Sequence, residues 1–287
     1  MKISIIDWKL LGTCNLRCLH CYGPPKSERE LPFDDLIKII NKFPKLGVEW
    51  VVLTGGEPLL VKNIERVMEH IKSLGIKIGL STNTTYFRQF QKVIETYVDS
   101  LNIPFDGSTP EIHARSRADK NSYFTFLDIL YHYAQNTKNK PKLLRIGSVF
   151  SRATQGDFME MARRLEPFEH IIDKWKIYEI LDYEFQPKLR QPIMHEQGTF
   201  EIEMKNLLRK TKLAPKIILA TSKIRNRAYF MINPRGEVVI PSSFKGVTRE
   251  IPIANILTDD LEEIKQNWLL HVETKNYIQT HTHYIKI

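Results

Sequence analysis

The sequence predicts an α/β chain, an incomplete (β/α)6 parallel barrel with a C-terminal cap. Three observations carry that expectation. Strand-like and helix-like stretches alternate through residues 3–181, and the helical stretches fit the ~10–15-residue length of crossover helices between parallel strands. The alternation loosens after Leu181, which divides the 287 residues into a core over 1–182 and a cap over 183–287.

The elements follow in order. Residues 3–11, rich in Ile, Leu and Trp, read as a buried strand that ends at a group of cysteines. Leu36, Ile39, Ile40 and Phe43 have helical spacing, with Pro32 near the start and Gly47 past the end. Residues 50–53 form a short strand that runs into Gly55-Gly56. Ile64, Val67, Met68, Ile71 and Leu74 make the apolar stripe of a second helix that stops at Gly75. Strands at 76–80, 100–105, 143–150 and 175–181 then alternate with helices at 87–97, 124–133 and 157–165. In the cap, a helix spans 200–208 and a short apolar run spans 216–220. Residues 229–232 and 237–240 flank Asn233-Pro234-Arg235-Gly236 as a hairpin, and a last helix covers 257–270. His281 and His283 invite a metal, but at a chain end they read as part of a frayed terminus.

Composition narrows the classes. With 42% hydrophobic and 26% charged residues, 13 Gly and 15 Pro, the chain is neither collagen-like nor disordered. At this length a fold buries ~75% of its unfolded surface, so no staple is required for stability. The apolar runs are far too short to span a membrane, and no cationic start precedes an apolar core. The expectation is a cytoplasmic chain with no membrane partner. A formal charge of +9 points to an anionic partner.

All three cysteines, Cys14, Cys18 and Cys21, fall within eight residues. An odd, crowded set argues for a metal or redox site rather than a disulfide framework. Soft thiolates select iron–sulfur clusters, zinc or copper(I). A structural zinc needs four ligands, and His20 is the only nearby fourth. Three thiolates on four irons leave one iron without a protein ligand, open to a substrate.

The spacing of Cys14, Cys18 and Cys21, with the aromatic His20 before the last, resembles the signature of the radical SAM superfamily. Thr54-Gly55-Gly56-Glu57-Pro58-Leu59 resembles that family's glycine-glycine-glutamate-proline motif, about 35 residues further on. The resemblance covers roughly residues 3–182. It implies one 4Fe–4S cluster on Cys14, Cys18 and Cys21, with S-adenosylmethionine on the open iron. Reductive cleavage would give a 5′-deoxyadenosyl radical that takes hydrogen from the substrate. For the cofactor it implies His20, a close backbone approach at Gly55 and Gly56, and Glu57 on the ammonium group, with Pro58 beside it. It also implies Ser81 and Asn83 at the third strand end, and Asp106 and Arg117 in a stretch where Pro104 replaces the family's serine. Bland readings stand beside these: a tight turn for the glycines, a helix-start carboxylate for Glu57, an N-cap run for 81–83, a turn for Asp106 and a surface ion pair for Arg117.

Between residues 205 and 249 lie eleven basic residues against Glu237 alone. That run reads as an anion site, with Lys223, Arg225, Arg227 and Arg235 as substrate candidates, or as a solvated or docking face. The cap resembles a SPASM-type layout without its cysteines, with Ser242 and Ser243 where a ligand would stand. Trp175-Lys176-Ile177-Tyr178-Glu179 before a basic cap is similar in layout to viperin-like enzymes of nucleoside triphosphates. The lead expectation is a radical SAM lyase, dehydratase or mutase acting on an anionic, phosphorylated small molecule, with flavodoxin or ferredoxin as electron donor. Modification of a ribosomal peptide is the alternative within the superfamily. A zinc-dependent nucleic-acid-binding protein, which keeps nucleic acid open as a partner, and an iron–sulfur electron carrier are the alternatives outside it.

Overall fold

Each of the six stretches expected as core strands is one: β1 (Ile5–Lys9), β2 (Trp50–Thr54), β3 (Lys77–Ser81), β4 (Ser100–Pro104), β5 (Leu143–Phe150) and β6 (Lys174–Glu179). They are seen in a computed structural model that describes residues 2–184 and 187–285. The six pair in parallel and in chain order. Crossover helices join them: α1 (Phe33–Leu46), α2 (Ile64–Ser73), α3 (Phe87–Tyr97), α4 (Pro110–Arg117), α5 (Asn121–Gln135) and α6 (Phe158–Leu165). Gly47, at φ +78°, ends α1 as its position predicts. One helix was expected between the fourth and fifth strands, and there are two. Thr109 caps the extra one by accepting from Ile112 N at 3.3 Å, and Pro110 sits at its first turn.

The register gives the sheet two faces. Trp8, Leu53, Leu80 and Leu101 align across β1–β4 and pack in the main core with Ile39, Val67 and Phe126 of the crossover helices. On the opposite, concave face the sheet carries Asp7 of β1, Asn102 of β4, Arg145 of β5 and Lys176 of β6. That face is the lumen of the incomplete barrel.

Past residue 182 the sheet continues at both edges. The chain runs through β7 (Asp182–Tyr183), α7 (Pro187–Arg190), α8 (Thr199–Lys210), β8 (Ile217–Ala220), α9 (Ser222–Arg225), β9 (Met231–Ile232), β10 (Glu237–Phe244) and β11 (Val247–Asn255). The apolar run at 216–220 is thus a strand, parallel to β6, and β9 lies parallel to β1. Among the described residues the order is β7-β11-β10-β9-β1-β2-β3-β4-β5-β6-β8. The expected hairpin forms between β9 and β10, where Asn233 Oδ1 accepts from Arg235 N at 2.9 Å and Glu237 N at 3.1 Å. Gly236 there takes φ +77°. β11 had no counterpart in the sequence reading.

The final helix, α10 (Leu261–His271), starts later than expected because Asp260 caps it, accepting from Glu262 N at 2.8 Å. The frayed end is corrected to a further helix, α11 (Thr274–Ile285), laid across the lumen. Ile5 N donates to Tyr277 Oη at 3.0 Å, and Tyr284 packs on Trp50 with ring centroids 5.0 Å apart. Apolar burial and those contacts order the segment. His281 is 2% exposed, and the side chain of His283 lies outside the described residues.

Tyr277→Phe leaves the buried Ile5 N–H without its acceptor and is expected to cost ~1–3 kcal/mol, read as a lower denaturant midpoint. An unchanged midpoint would mean that α11 is not anchored through this bond.

Candidate active site

Past β1 the chain enters the cysteine loop, and the end of β2 holds it there. Leu10 N donates to Thr54 O at 3.0 Å, Gly56 N to Leu11 O at 2.6 Å and Glu57 N to Thr13 O at 3.0 Å. A Cβ on Gly56 would meet Thr13 O at 2.0 Å, and one on Gly55 would meet Leu11 O at 2.4 Å. Both glycines line the cleft, but backbone of the cysteine loop is what forbids a side chain there.

Glu57 needs a correction. It is fully buried: Oε1 accepts from Leu59 N at 3.1 Å and Thr82 Oγ1 at 2.8 Å, and Oε2 accepts from Asn83 N at 2.7 Å. The carboxylate therefore ties the ends of β2 and β3 together and does not line the cleft where a ligand's ammonium would sit. Burial, outweighing those donors, pushes its pKa up to about 7. Pro58, also buried, opens the short turn behind it. Asp106 is likewise buried below the site. Burial alone would raise it, but the Arg117 guanidinium, at 2.5 Å, holds it below the ordinary carboxylate range.

Cys14, Cys18 and Cys21 line one cavity of about 190 Å³ together with His20, Gly55, Gly56, Ser81, Asn83 and Arg117. Each thiol faces a donor. Leu16 N and Asn83 Nδ2 approach Cys14 Sγ at 3.4 and 3.6 Å, Gly23 N approaches Cys21 Sγ at 3.4 Å, and Arg117 Nη1 lies 3.9 Å from Cys18 Sγ. Burial still raises Cys14, and pushes Cys18 up to about 11 against the pull of Arg117. Thiols this desolvated become thiolates when a cationic group binds them. The soft donor set, ringed by N–H groups around an open cavity, fits an iron–sulfur group. Among the described residues no three Cys, His, Asp or Glu side chains converge on one ion-sized position. His20 is lowered by burial to about 4 and is neutral, with Nδ1 2.5 Å from Ser116 Oγ.

A second cavity, about 80 Å³, continues down the lumen and shares Ser81, Asn102, Tyr178 and Arg225 with the first. Three cations line it, Arg145, Lys176 and Arg225, against Asp7 as its one carboxylate among the described residues. Lys176 is 5% exposed and touches the Tyr178 ring at 5.0 Å, and its ammonium makes no hydrogen bond to any described residue. Burial, and then the neighbouring Arg145, lower it to about 7. Arg225 is 8% exposed, donates to Glu179 O and keeps its Nε buried without a hydrogen-bond partner among the described residues.

The basic run of the cap does not assemble as expected. Arg225 alone of the four candidates reaches the lumen. Arg235 is exposed and paired with Glu28 and Glu237, Lys223 is exposed on α9, and Arg227 lines neither cavity. The partners that join Arg225, Arg145 and Lys176, come from core strands. Their signal was present: Asp7, Asn102, Arg145 and Lys176 are polar residues flanked on both sides by apolar ones within their strands.

Residues 8–165 match the family model described as the radical SAM superfamily. A GTP 3′,8-cyclase of Limosilactobacillus fermentum is 36% identical over 121 residues, covering 39% of this chain and 35% of that one. An S-adenosylmethionine-dependent nucleotide dehydratase of Lacinutrix mariniflava is 23% identical over 257 residues, covering 82% of this chain and 50% of its own. The chain thus spans half or less of the length of these curated relatives. The crystal structure of Streptococcus suis SuiB bound to precursor peptide SuiA shares the fold, with TM-score 0.70 and 14% identity over 96% of this chain and 66% of that one.

Glu57→Gln turns one acceptor into a donor facing an N–H, so it should destabilise the fold by ~1.5–3 kcal/mol. The folded carboxyl titrates near 7 and the unfolded one near 4.5, so the folded chain holds the extra proton between those values. This group therefore lowers stability as pH rises from 4.5 to 7, and the stability difference between wild type and variant should shrink across that window. Parallel pH profiles in chemical denaturation would contradict the assignment.

Proposed function

The chain belongs to the radical SAM superfamily, and from that membership we propose that it acts on an anionic, phosphorylated small molecule held in the barrel lumen. Enzymes of this family use a 4Fe–4S cluster and S-adenosylmethionine, and no helix among the described residues is long and apolar enough to cross a membrane. Cys14, Cys18 and Cys21 would hold the cluster. Gly55, Ser81, Asn83 and Arg117, which line the same cavity as the thiols, would face S-adenosylmethionine there. When bound and reduced, that pair supplies a 5′-deoxyadenosyl radical able to take hydrogen from a neighbouring carbon.

The chain's own groups prepare the site. N–H donors on each sulfur favour the thiolate form, and neutral His20 adds no charge beside them. Arg117, fixed by Asp106, presents its remaining guanidinium edge to the cavity as a fork for a carboxylate. The observation that carries the substrate reading is Lys176. Burial and Arg145 lower this lysine, which has no hydrogen-bonding partner among the described residues, to about 7, so a bound anion would be what holds it as an ammonium, and Arg145 and Arg225 stand on the same lumen. The relatives' names, a GTP cyclase and a nucleotide dehydratase, agree with a phosphorylated substrate. Flavodoxin or ferredoxin would supply the electron.

A peptide substrate is the second reading. Lys205, Arg209, Lys210, Lys223 and Arg249 stay exposed and could dock an acidic leader.

Two tests follow from this site. Cys14→Ala, Cys18→Ala or Cys21→Ala should each remove iron binding on anaerobic reconstitution while the folded core persists, checked by iron analysis and circular dichroism. Full iron loading in the triple variant would exclude these ligands. Lys176→Gln should raise KM for a stimulating nucleotide or sugar phosphate about tenfold or more while sparing uncoupled S-adenosylmethionine cleavage. Stimulation by lumen-bound phosphates should vary little with ionic strength, whereas docking on the exposed run should fall steeply with salt. Stimulation by peptides alone, lost in salt, would sink the phosphate reading.

A further inference from the structure

The floor of the lumen holds a second polar feature that the cations do not explain. His281, carried by α11, is 2% exposed and lines the cavity beside Asp7 of β1. Its Nδ1 lies 2.9 Å from Tyr277 O, a carbonyl that can only accept, so Nδ1 carries the hydrogen. In the neutral ring Nε2 is then an acceptor. It faces Asp7 Oδ2 at 3.6 Å, beyond hydrogen-bond range, and both atoms are buried without a hydrogen-bond partner among the described residues. Tyr229 and Tyr277 pack against the imidazole with ring centroids 5.4 and 4.7 Å away and fix its plane.

With the imidazole neutral, two buried acceptors turned toward each other repel and leave two desolvation costs unmet, whereas a protonated ring would make the same 3.6 Å contact an ion pair with Asp7. A single hydrogen donor placed between them satisfies both. We propose that Asp7 and His281 form a specificity subsite that reads an N–H or O–H donor on the organic part of the substrate, while Lys176 and Arg225 hold its anionic part. The proposal rests on the reading of the lumen as the substrate site. Its two acceptors stand on elements far apart in sequence, β1 and α11, so the helix that closes the lumen also completes the subsite. The donor is either a sugar hydroxyl or an amino or ring N–H of a base, and both supply the same polarised hydrogen.

The test compares wild type with Asp7→Asn and His281→Asn by anaerobic calorimetry on the reconstituted enzyme. Asn at 281 can still donate to Tyr277 O but has no group in place of Nε2. The probes are inorganic tripolyphosphate, ribose 5-triphosphate, the four nucleoside triphosphates and their 2′,3′-dideoxy forms. Each variant should bind the preferred organic phosphate about tenfold more weakly. Tripolyphosphate should bind as well or better, since Asp7→Asn removes a negative charge from a cationic lumen. Retained loss with dideoxy forms assigns the donor to the base, and loss with ribose 5-triphosphate assigns it to the sugar. The imidazole 15N signal of His281 should shift with the organic phosphate and not with tripolyphosphate.

Unchanged organic affinity in both variants, or a motionless 15N signal, would overturn the proposal and leave a bridging water in its place. A parallel loss of tripolyphosphate and organic phosphate would overturn it as well. If wild type binds no tripolyphosphate at all, the anion reading fails by itself. Unphosphorylated nucleosides then decide: weaker binding in both variants sustains the subsite, and equal or absent binding ends it.

Discussion

The Glu57 carboxylate is the constraint on which the rest of the site depends. Fully buried, it takes Leu59 N, Thr82 Oγ1 and Asn83 N, and so fixes the turn after β2 to the turn after β3. The turn after β2 in turn carries the backbone that pairs with residues 10–13 and sets the start of the cysteine loop. Asn83, placed by Glu57, reaches back to Asn15 Oδ1 at 2.8 Å and to Cys14 Sγ. One desolvated charge thus positions two strand ends and one thiol. A buried carboxylate with several donors is a rigid anchor because breaking any one bond leaves a polar group unmet in the interior.

The cap bears on the same loop from the other side. Arg190 is fully buried and donates to Cys21 O at 2.9 Å, and Lys9 Nζ donates to Tyr22 O at 3.3 Å while paired with Glu250 of β11. Glu250 also accepts from Tyr183 Oη at 2.5 Å. Removing either member of a buried pair leaves an uncompensated charge, which is far more destabilising than the pair is stabilising. The loop that carries the thiols is therefore held between the core, through Glu57, and the cap, through Arg190 and Glu250. Residues beyond 182 complete the sheet and also complete the site.

The two faces of the sheet explain how a polar lumen survives inside an apolar fold. Burial of Trp8, Leu53, Leu101 and their neighbours beneath the helices supplies the hydrophobic stabilisation, and the concave face is left free to carry charge. Three cations against one carboxylate in a small cavity then act as a field that favours an anion. Burial and the mutual repulsion of Lys176 and Arg145 already lower the lysine to about 7, so the lumen is electrostatically unfinished without a ligand.

The sequence by itself determined the order of the six core strands and of most of the helices between them, because alternation and apolar spacing report which side of each element is buried. It also determined the thiol cluster and the glycine-glycine-glutamate turn, because those residues act through local backbone and short spacings. The roles of Glu57 and of the cap's basic run were decided only in three dimensions. A carboxylate next to a glycine pair looks alike in sequence whether it faces a ligand or its own fold, and only the position of β3 shows that Thr82 and Asn83 consume it. Eleven cations in a row cannot say which one turns inward. Arg225 does so because α9 follows β8 at the sheet edge and its side chain falls across Tyr178. Lys176, Arg145 and Asp7 lie on three different strands, each between apolar neighbours, and their meeting in one lumen depends on strand register, which pairs residues far apart along the chain. His281 joins them through the packing of a terminal helix whose apolar residues gave no periodic signal strong enough to place it.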